Sequence, residues 1–300
     1  MSRREWGIMN LEIQYRSHYF DDAELKSSFE QYAMSVFGLD FRRWKEKGLW
    51  SHRYTPFSAF VGKQCIASIC VYSCLLTIDH KKMNGAQLLT VGTLPEYRGQ
   101  GIQREIWDRA STWCIKNHDF TFLFTDEKAA GLYEKLGLIR KEEHVEVVEI
   151  QPLEMTSNGS YRKLFIKDED DYQIAYRLAH ERTVVSNRIG FHNPKLLLFM
   201  LLYPYKDRMY YIEELDCIVI VERRKDKLRV HDIIAVEMPS YEKIEPLLGQ
   251  FGKKKIEFLF CADRLDLKNA DKQLLKESVL FVSKNFKFSQ KMMFPASIRA

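Results

Sequence analysis

Arg98-Gly99-Gln100-Gly101 is the stretch of this 300-residue sequence best equipped to hold a phosphate. Two glycines flanking one residue let successive backbone N–H groups turn toward a common point. Ile102, Ile106, Ala110 and Trp113 then recur at helical spacing, so the positive end of a helix adds to that point. Arg98 brings a formal charge to the same rim, which makes a phosphate or pyrophosphate the natural occupant. No Gly-Lys-Ser/Thr follows, so this is not a Walker loop, and the three-glycine dinucleotide spacing is missing.

A second candidate is Tyr133, on a helical stretch that Thr125 or Asp126 can cap, just after the apolar strand Phe120 to Phe124. A phenol ionises near pH ~10, so it is protonated and able to donate at neutral pH. A general base is harder to find. The run Gln87 to Thr93 ahead of the glycines contains no Asp or Glu, which leaves His80, His52 or a bound water as candidates.

Strand, turn, glycine pair and helix in this order resemble the GNAT superfamily of N-acyltransferases, whose signature is Arg/Gln-x-x-Gly-x-Gly/Ala. Arg98 and Gly101 match it, and Gln103 stands where the superfamily usually has a small residue. Gly101-Ile102-Gln103-Arg104 is similar to the enhanced intracellular survival (Eis) branch, where a larger residue followed by arginine is common. Downstream, Asp126 to Leu138 resembles the segment Asn-x-x-Ala-x-x-x-Tyr-x-x-x-Gly-Phe, with Asp126 for the Asn, Leu138 for the Phe and Tyr133 at the tyrosine.

The resemblance implies an α/β (α+β) fold, a mixed, mostly antiparallel sheet flanked by helices, with acetyl-CoA as co-substrate and no metal. Val91, Gly92 and Thr93 would offer backbone groups to the pantetheine, and Arg98, Gly99, Gln100, Gly101, Ile102, Gln103 and Arg104 would hold the pyrophosphate. Asp126 is grouped with these cofactor-binding residues, and Tyr133 would protonate the departing thiolate. In the Eis branch the terminal carboxylate enters the active site, which makes Ala300 the candidate base. The implied reaction is direct attack of a small-molecule or peptide amine on the thioester. Two other readings stay open: a non-catalytic acyl-CoA-binding regulatory module, and an aminoacyltransferase of the Fem type.

The elements that must position these residues read in order. Leu11 to Arg16 alternates like a strand, and Asp21 or Asp22 can cap a helix carrying Leu25, Phe29, Tyr32, Ala33 and Phe37. Phe41 to Trp50 is aromatic and basic, either a substrate lid or ordinary packing around Trp44 and Trp50. Ser58 to Val61, Cys65 to Leu76 and Gln87 to Thr93 form a meander leading into the glycines, and Glu142 to Ile150 reads as its last strand.

Two domains follow, 1–150 and 161–300, joined by a linker at 151–160. The second repeats the pattern, with helices at Asp168 to Arg182, Leu196 to Tyr203 and Tyr241 to Phe251. Its strands are expected at Arg208 to Ile212, Cys217 to Glu222, Leu228 to Val236, Ile256 to Cys261, Val279 to Val282 and Met292 to Phe294. This reads as a degenerate second GNAT-type fold, because Ala235 to Glu242 has acids and no glycines where a cradle should be.

A 46% hydrophobic and 29% charged composition with net charge +5 is that of an ordinary globular protein. Neither a nucleic-acid partner nor a membrane span is indicated. Six cysteines without paired spacing suggest buried thiols in a reducing cytoplasm. Exposed edge strands leave room for a homodimer.

Overall fold

The structure, a computed structural model, describes residues 12–150, 161–287 and 291–299. Residues 151–160 and Ala300 lie outside the described residues. The described chain is a mixed α/β protein with two sheets and seven α-helices, and it separates into two compact units.

The first unit comprises residues 12–41, 52–72 and 88–116. Strands β1 (Ile13–Ser17), β2 (Tyr54–Val61) and the first part of β3 (Gln64–Ile78) form an antiparallel meander, followed by the end of β4 (Lys81–Thr93). Asp22 caps α1 (Ala23–Phe37) through bonds from Glu24 N and Leu25 N, and Gly38 closes it in the left-handed region. Its apolar stripe of Phe29, Tyr32 and Ala33 is buried. Helix α3 (Ile102–Asn117) buries Ile102, Ile106, Trp107, Ala110 and Cys114, the face its periodicity calls for.

In the second unit β3 and β4 are joined by Asp79 and His80, both with positive φ, as a two-residue hairpin turn requires. Strand β4 pairs in parallel with β5 (Phe120–Thr125) over Gly85 to Gln87. The end of β3 pairs with β9 (Ile189–Phe191). The second sheet lies wholly in this unit, in the order β14 (Asp271–Leu274), β7 (His144–Glu149), β13 (Lys255–Phe258), β12 (Leu228–Ala235), β11 (Cys217–Arg223), β10 (Met209–Ile212) and β8 (Tyr161–Lys163). Helices α2 (Arg42–Glu46), α4 (Glu127–Lys135), α5 (Glu169–Glu181), α6 (Pro194–Leu202) and α7 (Tyr241–Gly249) belong here too.

The two sheets exchange strands. The strand expected over Glu142 to Ile150 to close the first domain is β7, which instead joins the second sheet beside β13 and β14, and a short strand β6 (Ile139–Lys141) precedes it. The late strand β15 (Val279–Val282) inserts between β5 and β6 of the first sheet. Each sheet thus has the same local order: a parallel pair, an antiparallel strand from the distant part of the sequence, then a short edge strand. Single-sequence patterning sees that β7 and β15 are apolar but not which sheet each completes. Met292 to Phe294, expected as a strand, is buried without belonging to one. No helix among the described residues is long and apolar enough to cross a membrane.

Candidate active site

The glycine pair adopts the geometry its spacing calls for. Gly99 and Gly101 have φ of 77° and 80°, and nothing lies within 4 Å of where a Cβ would stand on either. Glycine is needed here for backbone conformation, not for space. The chain enters through the single turn Pro95–Tyr97, and Arg98 is extended. Arg104 N and Glu105 N bond Gly101 O at 3.0 and 3.3 Å, which starts α3. Among the described residues, the N–H groups of Gly99, Gln100, Gly101, Ile102 and Gln103 meet no acceptor. Five consecutive donors at the positive end of a long helix are the arrangement expected of an anion cradle.

Arg98 is exposed, and its Nε donates to Thr93 O at 3.1 Å, tying the rim of the cradle to the end of β4. Gln103 turns inward. Its Nε2 donates to Gly92 O, to Thr93 Oγ1 at 3.0 Å and to Ser68 O at 3.4 Å, while its Oε1 is buried without a partner. Where a small side chain would only allow close packing, the longer Gln103 bonds the helix start to β3 and β4.

Strand β4 is irregular just before the cradle. Thr90 has φ 52°, rare for a β-branched residue, and its Oγ1 is 2.5 Å from the buried Tyr54 hydroxyl. Thr90 directly precedes Val91, Gly92 and Thr93, the residues expected to offer backbone groups to the pantetheine. Gly92 serves close packing: a Cβ there would stand 2.8 Å from Phe37 Cζ, 3.0 Å from the Tyr32 hydroxyl and 3.1 Å from Val36 Cγ1, all on α1. Val91 is half-buried and Thr93 buried.

Asp126 and Tyr133 lie in the second unit. Asp126 Oδ1 accepts Ala129 N at 3.0 Å, so the residue caps α4. Gly137, with φ 85°, ends the helical segment, and Leu138 is buried behind it. Tyr133 is buried with its hydroxyl at Thr125 and its ring 5.6 Å from Phe281. Burial pushes its hydroxyl up to about 12, opposed by the Thr125 hydrogen bond and reinforced by the charge of Asp126, so the group is protonated at any physiological pH.

The tail of the chain is built into this unit. Residues Met292 to Ile298 are buried, and side chains from several elements hold them. Gln87 Nε2 donates to Ile298 O at 2.7 Å, and the Tyr205 hydroxyl donates to Ala296 O at 2.9 Å. Ser297 Oγ bonds Asp232 Oδ2, and Glu143 Oε1 accepts Phe294 N at 2.9 Å and Arg299 Nη2 at 2.6 Å. Arg299 also stacks over the Phe124 ring at 4.3 Å. Gln87 and Glu143 escaped the sequence reading; the only available signal was a polar Gln87 inside an apolar run.

The other candidates take different places. His52 and His80 are both exposed. Trp44 is buried against Phe199 and Trp50 and donates to Lys195 O at 3.3 Å, a packing role and not that of an open lid.

Residues 14–138 match the model of the acetyltransferase (GNAT) family. The match spans the glycine pair, α3 and the Asp126 to Leu138 segment. The whole fold is similar to solved structures. One is a conserved protein of unknown function from Enterococcus faecalis V583, a probable N-acyltransferase, with TM-score 0.61 and 13% identity over 90% of this chain and 72% of that one. Another is Eis1 from Mycobacterium abscessus, with TM-score 0.54 and 18% identity over 90% and 73%. A third is a GCN5-related N-acetyltransferase from Anabaena variabilis, with TM-score 0.51 and 16% identity over 90% and 72%. No curated protein matches the sequence at a significant level.

Proposed function

We propose that this protein transfers the acetyl group of acetyl-CoA to an amine, by direct attack of the amine on the thioester. The observation that carries this is the cradle in a GNAT domain: five unpaired backbone donors from Gly99 to Gln103, with Arg98 at the rim. A pyrophosphate supplies the negative charge such a site lacks. Val91, Gly92 and Thr93 are assigned to the pantetheine, beside the irregularity at Thr90.

The amine nitrogen forms a bond to the carbonyl carbon, the C–S bond breaks, and the thiolate takes a proton from the Tyr133 hydroxyl. The ammonium proton must leave first, because an alkyl amine with pKa ~10.4 is almost wholly charged at neutral pH. That proton passes to a bound water or a general base beside the thioester.

The two halves, 1–150 and 161–300, are assigned to two GNAT-type domains of which only the first holds the coenzyme. In the second, the turn after β12 carries Glu237 and the first turn of α7 carries Glu242, and their carboxylates repel a pyrophosphate. Six buried cysteines, with no disulfide among the described residues, support a reducing cytoplasm as the workplace. The test is calorimetric titration with acetyl-CoA of the wild type and of Gly101→Glu, followed by an amine screen that detects free thiol. Micromolar binding lost in the variant supports the reading, and absence of wild-type binding overturns it.

A further inference from the structure

A polar cavity in the second unit takes no part in the chemistry above. It has a volume of about 80 Å³, and its wall includes His180 and Arg182 at the end of α5, His192, Asn193 and the first turn of α6. A single water needs only roughly 10–15 Å³ by this kind of measure, so the space takes a polyatomic guest.

Its chemistry is set by donors. Asn193 is 5% exposed and stands at the N-cap of α6, yet it does not cap that helix. Its Oδ1 instead accepts Leu75 N at 2.7 Å, and Nδ2 meets no acceptor among the described residues. Pro194 takes the first helical position, and Leu197 N reaches Asn193 O at 3.2 Å, which leaves the N–H groups of Lys195 and Leu196 outside the helix ladder.

The carboxylate paired with Arg182 of the wall is already consumed. Asp232 receives both Nη1 and Nη2 of Arg182 at 2.8 Å, together with Ser297 Oγ and Ile233 N. His192 Nε2 is 2.8 Å from Thr77 Oγ1, and burial, then the positive charges of Lys82 and Arg182, hold its ring below the ordinary histidine range. His180 Nδ1 donates to Tyr176 O at 2.8 Å, so Nε2 is the ring atom left for a guest.

We infer that this cavity binds a small oxyanion, a phosphate or carboxylate group, held by Asn193 Nδ2, the N-terminus of α6 and the two imidazoles. An anion fits because the wall carries Arg182, two imidazoles, Asn193 Nδ2 and the start of a helix, and its lining residues include no carboxylate.

The experiment is a titration of the full chain with sodium phosphate and, separately, sodium acetate, at constant ionic strength set with sodium chloride. The histidine side-chain resonances report binding by NMR. Saturating shifts of His180 and His192 are expected, and Asn193→Leu and His180→Ala should each weaken binding about tenfold or more. His180 is exposed, so its variant keeps the test valid if removing the Asn193–Leu75 bond unfolds the protein. Saturation by phosphate alone assigns a tetrahedral guest, and saturation by both anions assigns the shared oxyanion chemistry. No saturation by either anion, or unchanged affinity in His180→Ala, overturns the inference.

Discussion

Gln87 donates through Nε2 to Ile298 O at 2.7 Å, which fixes the tail of the chain to strand β4. Gln87 is fully buried, and its Oε1 accepts the Cys74 thiol, so both ends of the amide are used. Replacing it with leucine keeps the volume but leaves Ile298 O buried and unsatisfied, at a cost of about 1–3 kcal/mol. Gln87→Leu should therefore lower the urea midpoint and expose residues 291–299 to hydrogen exchange. Unchanged exchange in that segment would show that the other tail contacts suffice.

Two glycines near the cradle should respond differently to alanine. Gly92→Ala forces a Cβ against Phe37, Tyr32 and Val36, an overpacking that costs about 1–3 kcal/mol. Gly101→Ala meets open space but is held at φ 80°, a backbone cost of about 1 kcal/mol. Asparagine tolerates the left-handed region better, so Gly101→Asn should recover part of the loss and Gly92→Asn none. Denaturant midpoints of the four variants decide it.

The contrast also shows how far the sequence could be read. The glycine pair, the Asp126 cap and the buried faces of α3 and α4 follow from local rules, because spacing alone specifies them. The packing need at Gly92 depends on α1, and the bonds of Gln103 depend on β3, contacts that no local pattern encodes. The exchange of β7 and β15 and the buried tail are also non-local. An apolar strand or tail announces that it will be buried without naming its partner.

Tyr133→Phe separates chemistry from binding. The variant keeps the ring contact with Phe281 and loses only the hydroxyl, so acetyl-CoA affinity should hold while kcat falls about 10²-fold or more. With the hydroxyl pushed up to about 12, the donor stays protonated, and the wild-type rate should show no basic limb from Tyr133 below that pH. The raised value also adds stability that is complete below pH ~10 and is lost as pH rises from there through 12. A full rate in the phenylalanine variant would remove Tyr133 from the mechanism.

His231 should make the protein acid-sensitive. Its Nε2 lies 3.2 Å from Glu222 Oε2 and its Nδ1 lies 3.2 Å from the Tyr205 hydroxyl, the group that holds Ala296 O of the tail. Burial holds the ring down to about 4 despite the carboxylate, whose charge Arg208 and Arg224 share at 3.1 and 3.2 Å. The folded state thus keeps His231 neutral, while the unfolded chain protonates it near pH ~6.5. A lowered value means stability that is present above 6.5 and lost as pH falls from 6.5 through 4, roughly 3 kcal/mol over the full shift. His231→Gln keeps a polar side chain that cannot titrate, so its stability should fall less steeply across that window even if it starts lower at pH 7. Denaturant midpoints at pH 7, 6, 5 and 4 measure the two slopes, and parallel slopes would assign the acid loss to other groups.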